Sequence, residues 1–139
     1  MKTSILELEW KRRESGSNTT QRDFFDFVVD GKSLSEELGG DVSPLDWFTP
    51  NENLRVVNQL LLREDSELPD DRYPLFVCAE CGDLGCGAIT AVIERENDKI
   101  IWRDFGYQNN YEKEIYSVRF AGMFVFDESQ YQMALEKAL

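Results

Sequence analysis

The stretch AITAVIERENDKIIWRDF, Ala88–Phe105, decides the fold class. Its two halves, Ala88 to Glu96 and Lys99 to Phe105, are rich in β-branched and aromatic residues. Asn97-Asp98 between them is a two-residue turn signal, so the stretch reads as an antiparallel hairpin. In the second half, Trp102-Arg103-Asp104-Phe105 alternates. That rhythm places Asp104 on the face of Ile100 and Trp102, as a candidate buried carboxylate.

Further downstream, Gly106 to Glu114 (GYQNNYEKE) reads as a polar, aromatic loop. Ile115 to Val118 and Phe124-Val125-Phe126 add strand, interrupted near Gly122. Asp127 then caps a last helix, in which Tyr131, Ala134, Leu135 and Ala138 recur at the spacing of one docking face. Upstream, Tyr73 to Val77 enters a third strand, which the cysteine-glycine loop follows. Glu64 to Asp71 (EDSELPDD) holds five acids and a proline and reads as an exposed loop. Before it, Thr49-Pro50-Asn51-Glu52 supplies a cap, a proline at the first helical position and a capping-box acid. Leu54, Val57, Leu60 and Leu61 follow at helical spacing, predicting a helix to about Arg63. Trp47-Phe48 ahead of it reads as a staple onto the sheet, with Phe48 at the staple position.

At the N-terminus, Ile5 to Trp10 reads as a strand with Leu6, Leu8 and Trp10 on one face. Lys11 to Gln21 (KRRESGSNTTQ) is a polar loop, and Asp23 to Val29 is a second strand. Asp30-Gly31 is another hairpin turn, after which Lys32-Ser33-Leu34 pairs back briefly. Ser33 to Gly40 has room for one helical turn. Strands joined by hairpins, with two main helices that do not alternate with them, predict an α+β domain spanning 1–139. Its architecture is an antiparallel sheet of about five to six strands with the helices packed on it.

Composition removes several classes of function. The 139-residue chain has no histidine, which excludes Ser-His-Asp and Cys-His catalysis and histidine zinc sites. No P-loop spacing occurs, and Gly82, Gly85 and Gly87 do not match a dinucleotide fingerprint. These absences point away from an enzyme. The apolar runs are too short to span a bilayer. The acid at Glu7 falls where a signal peptide needs an apolar core, so the expectation is a cytoplasmic protein.

Fifteen Lys and Arg against 27 Asp and Glu give a net charge of −12. Residues 1–22 carry five bases and three acids, whereas the remainder carries ten bases and 24 acids. Such a field repels nucleic acid and anionic lipid, and it speeds encounter with a basic protein. Two segments suit a binding surface. Glu64, Asp65, Glu67, Asp70 and Asp71 offer carboxylates to lysines and arginines. Tyr107, Asn109, Asn110, Tyr111 and Glu112 mix the amphipathic rings and amides that interfaces favour.

Cys78, Cys81 and Cys86 form C-x-x-C-x-x-x-x-C and are the chain's only cysteines. Three thiolates can hold zinc, but a structural site takes four ligands, leaving Glu80, Asp83 or a partner to complete it. A redox pair normally opens a helix, and the surrounding glycines argue for a turn. Reduced, half-buried cysteines in a tight strand-to-strand turn are the preferred reading, with no cofactor, and zinc or thiol chemistry is the alternative.

The run Leu75–Gly87 (LFVCAECGDLGCG) and the run Trp102–Glu112 (WRDFGYQNNYE) together resemble a family of small uncharacterised bacterial proteins. An ELEW-type strand, a VVDG hairpin and an F-x-F-D strand before the last helix extend the resemblance over most of the chain. It implies no activity. In size and acidity the chain is also similar to immunity proteins encoded beside bacterial polymorphic and contact-dependent toxins. That likeness implies an inhibitor, monomeric within its complex, that covers a cognate basic toxin domain such as a nuclease.

Overall fold

The computed structural model describes residues 2–13, 22–39, 41–45, 49–78, 87–109, 115–118 and 122–139. The Asn97-Asp98 turn closes the expected hairpin between β5 (Ala88–Glu96) and β6 (Lys99–Gln108), with Glu96 opposite Lys99. β4 (Arg72–Val77) pairs with the outer side of β5. Pro74 lies on this edge strand, and the register shifts between Pro74 and Phe76, where a missing N–H is tolerated. On its far side β6 pairs with two short strands. These are β7 (Tyr116–Ser117) opposite Gly106 and Tyr107, and β8 (Phe124–Asp127) opposite Lys99 to Trp102.

The α+β class is as expected, but the strands form two antiparallel sheets. The second sheet holds β1 (Leu6–Arg13), β2 (Arg22–Val29) and β3 (Lys32–Ser33). It does not merge with the first because its edges are taken otherwise. Ser33 caps α1 (Leu34–Leu38) and ends β3 after two residues. On the other edge, Gln130 binds both the N–H and the C=O of Leu6, and Lys137 Nζ donates to the Leu8 carbonyl. An isolated bridge from Ser4, just before β1, to Phe126 of β8 links the sheets, and a second from Val42 to Val77 ties the segment after α1 to β4.

α2 (Pro50–Leu60) and α3 (Glu128–Glu136) bury Val56, Val57 and Leu60, and Tyr131 and Leu135, in the common core. Thr49 and Asp127 cap them as read, each accepting a backbone N–H three residues on. The capping box stays half closed, because the Glu52 carboxylate accepts from Arg55 instead. α2 stops short of Arg63, where Leu62 takes the left-handed conformation at φ 62°.

Two strand boundaries and the burial of one side chain differ from expectation. β1 runs on to Arg13 because Lys11, Arg12 and Arg13 continue the ladder opposite Phe24, Asp23 and Arg22, and Arg12 ion-pairs with Asp23. Trp10 shares the face of Leu6 and Leu8 yet is 58% exposed, with its ring stacked on Phe25. β6 continues to Gln108 rather than turning to loop at Gly106. Trp47 and Phe48 lie outside the described residues.

Asp30-Gly31 turns the β2–β3 corner with both residues at positive φ, where Asp and Gly are tolerated. The Ile5 N–H donates to the Asp30 carboxylate at 2.8 Å and holds its pKa below the usual carboxylate range, with smaller help from Ser4, Lys2 and Lys32. A lowered folded-state pKa supplies stability that is present above about pH 4 and is lost as pH falls through the folded value. D30N keeps a turn-compatible residue. Its denaturation midpoint should therefore fall less than the wild type's between pH 5 and 3; parallel curves would remove Asp30 from the acid limb.

Candidate partner-binding surface

The loop from α2 to β4 is built from its two roots. At the first, Leu62 reverses the chain. At the second, Asp70 and Asp71 both adopt positive φ (61° and 59°) before Arg72 enters β4. Aspartate is among the few non-glycine residues that visit this region readily. Three hydrogen bonds brace the loop between these roots: Gln59 Nε2 donates to the Asp65 carbonyl, Leu68 N–H to Ser66 Oγ and Ile93 N–H to the Asp71 carbonyl.

Arg72 is the anchor, and it is only 6% exposed. Its Nε donates to Thr90 Oγ1 (3.0 Å) and Gln108 Oε1 (2.9 Å). Its Nη2 donates to the carbonyls of Thr90 (3.3 Å) and Asp104 (2.6 Å). No described carboxylate lies within ion-pair distance of it. Burial lowers its pKa, partly offset by the negative charges of Asp104 and Asp70.

Asp104 itself corrects the sequence reading. Thr90 faces Gly106 and Val92 faces Arg103, so an extra residue bulges out of β6, and Asp104 sits at φ 53°. The bulge breaks the alternation: Trp102 and Phe105 are buried, while the Asp104 side chain points outward and pairs with Arg103. It is an exposed carboxylate whose carbonyl serves Arg72.

All five acids of the loop, Glu64, Asp65, Glu67, Asp70 and Asp71, are exposed. Glu67 pairs with Arg55 at 3.0 Å, and the other four form no ion pair among the described residues. Asp71 accepts from Ile93, which places the loop at the hairpin-tip end of β5 and β6, toward Glu96 and Asp98. Tyr73, just inside, has its pKa raised by burial and then by Asp71 and Asp65. The basic run at the end of β1 lies at the opposite end, beside Val42 and Val77, and is matched there: Lys11 with Glu36, Arg12 with Asp23, Arg13 with Asp41. The four unpaired acids of the loop thus lie toward the hairpin-tip end, while Glu7 and Glu9 on β1, Glu37 on α1 and Glu136 on α3 are also exposed without an ion pair among the described residues.

The second expected segment is not brought to that end. Tyr107 pairs with Ile89 and Tyr116, four residues along β5 from Ile93, about 13 Å at 3.3 Å per residue. A side chain at Gly87 would collide with the Tyr107 ring, so this glycine is required for the ring to lie where it does. Ile115 and Tyr116, which sequence patterning did not single out, are exposed beside Tyr107. An open groove of about 280 Å³ passes Asp41, Cys78, Gly87 and Tyr107. Asn109 is half-buried, and Asn110, Tyr111 and Glu112 lie outside the described residues. So do Cys81 and Cys86; Cys78 is half-buried and forms no disulfide. Among the described residues no group of three metal-capable side chains gathers, and no helix is long and apolar enough to cross a membrane.

Compared with models of known families, with curated proteins and with solved structures, the chain matches none.

Proposed function

We propose that this protein is a non-catalytic inhibitor, a bacterial immunity protein. It presents its acidic 64–71 loop to a basic toxin domain, most simply a nuclease, and covers the active site. One observation carries the reading: Glu64, Asp65, Asp70 and Asp71 are exposed without ion pairs on a loop braced at both roots. Carboxylates so placed mimic the phosphates that a nuclease groove attracts, and their field speeds capture. Blocking a site needs no catalytic group, consistent with the absence of histidine.

The test uses a basic nuclease domain encoded beside this chain, captured and then measured for association rate against salt. Neutralising the four unpaired acids together (E64Q, D65N, D70N, D71N) should slow association about 10- to 100-fold at low salt and leave thermal stability nearly unchanged. Binding that ignores both salt and these substitutions would end the electrostatic reading. Replacing Cys78, Cys81 and Cys86 with serine should leave capture intact, whereas loss of function in a folded triple variant would favour the zinc or thiol alternative.

A further inference from the structure

Leu62 closes α2 in a Schellman arrangement, with Arg63 N–H donating to the Asn58 carbonyl (2.8 Å) and Leu62 N–H to that of Gln59 (2.9 Å). Glycine usually fills this left-handed position, and a leucine there is strained. The strained stop fixes where Arg63 leaves the helix. Arg63 then meets Arg95 of β5 and Gln132 of α3 around a small cavity of about 130 Å³, floored by Ile100 and Tyr131.

The charges around this cavity do not balance. Arg95 Nε donates to Glu128 at 2.9 Å, and Arg63 has no ion pair among the described residues. Two guanidinium groups and one carboxylate therefore line the cavity itself, with the unpaired Glu64 and Asp65 following Arg63 in the chain. The Gln132 side-chain amide makes no hydrogen bond among the described residues, while the Tyr131 hydroxyl is turned away to the Leu60 carbonyl. Donors line the opening, and the one acid present is occupied. A space of about 130 Å³ is roomy enough for one small ion.

We propose that this cavity binds a small oxyanion of the phosphate class, free or as the terminal group of a phosphomonoester. Planar guanidinium forks suit tetrahedral oxyanions, and the amide adds a neutral donor. The site borders the acidic loop, since Arg63 immediately precedes Glu64, but it is formed by different side chains.

The experiment titrates the full chain with inorganic phosphate, and separately with glycerol phosphate, at constant ionic strength, following backbone and arginine side-chain NMR signals. Saturable shifts at Arg63, Arg95 and Gln132 are expected, and tighter binding of one probe names the source. R63Q should weaken binding about tenfold or more. E128Q, which frees Arg95 and removes the competing charge, should tighten it several-fold. Shifts that rise linearly, as in a sodium chloride control, would overturn the site. So would unchanged affinity in R63Q, or weakened affinity in a folded E128Q. Should R63Q not fold, the E128Q result decides.

Discussion

Replacing Trp102 with alanine is expected to destabilise the protein by about 3–5 kcal/mol, seen as a lower urea midpoint at unchanged slope. The indole is fully buried at the junction of every layer. It meets Phe27 of the three-stranded sheet edge-on at 5.4 Å, Phe126 of β8 at 5.2 Å and Tyr131 of α3 at 6.0 Å. Its Nε1 donates to the Tyr131 hydroxyl (3.2 Å), which in turn donates to the Leu60 carbonyl of α2 (2.6 Å). Removing the ring opens a cavity that two sheets and two helices would have to close together. Burial pushes the Tyr131 pKa far up, so the hydroxyl stays protonated as a donor. W102F should cost clearly less, since phenylalanine refills most of the volume and the Tyr131–Leu60 bond survives. A loss below about 1 kcal/mol for W102A would show that the layers do not depend on this junction.

The residues around Trp102 also mark where sequence reading succeeds and fails. The β5–β6 hairpin, the Thr49 and Asp127 caps and the Asp30-Gly31 corner were legible because their signals are local: a turn dipeptide, a hydroxyl or carboxylate before a periodic run. Asp104 was misplaced because one extra residue in β6 inverts every later side chain, and alternation alone does not announce a bulge. The second sheet was missed for a related reason. Whether β1 joins β8 or is capped by Gln130 and Lys137 is settled by residues more than a hundred positions away.

At the surface, each acid of the 64–71 loop was legible as exposed. Three facts were not: that the loop lies away from Tyr107, that the basic run at Lys11–Arg13 is matched by Glu36, Asp23 and Asp41, and that Arg72 is buried. An arginine following two aspartates reads as one more solvated charge. Only the ladder shows Thr90, Gln108 and the bulged Asp104 converging on it.

That convergence makes Arg72 the second position of large expected effect. R72A should cost about 3–5 kcal/mol, because it removes a charged donor from several buried acceptors at once and leaves them without a replacement. R72K should also be damaging, since a single ammonium cannot reach the Gln108 side chain and the Asp104 carbonyl together. R72M separates hydrogen bonding from charge. It keeps much of the volume and removes a buried cation that has no carboxylate beside it, so it should be milder than R72A. A methionine variant as unstable as the alanine one would mean that the bonds, and not the filled space, carry the effect.

The pH dependence has a definite sign. Burial lowers the pKa of Arg72, so the cation is disfavoured in the fold, and that cost is relieved only as pH rises through the lowered value. A guanidinium stays charged throughout the range in which proteins are handled, so the cost of R72A should be the same at pH 5 and pH 8. The local consequence reaches the acidic loop. Ile93 N–H is held by the Asp71 carbonyl directly beside Arg72, so R72A and R72M should both lower hydrogen-exchange protection at Ile93. Protection at Lys99, opposite Glu96 at the hairpin tip, should fall only with global stability. If Ile93 and Lys99 lose protection equally, Arg72 acts on the whole fold and not on the root of the loop.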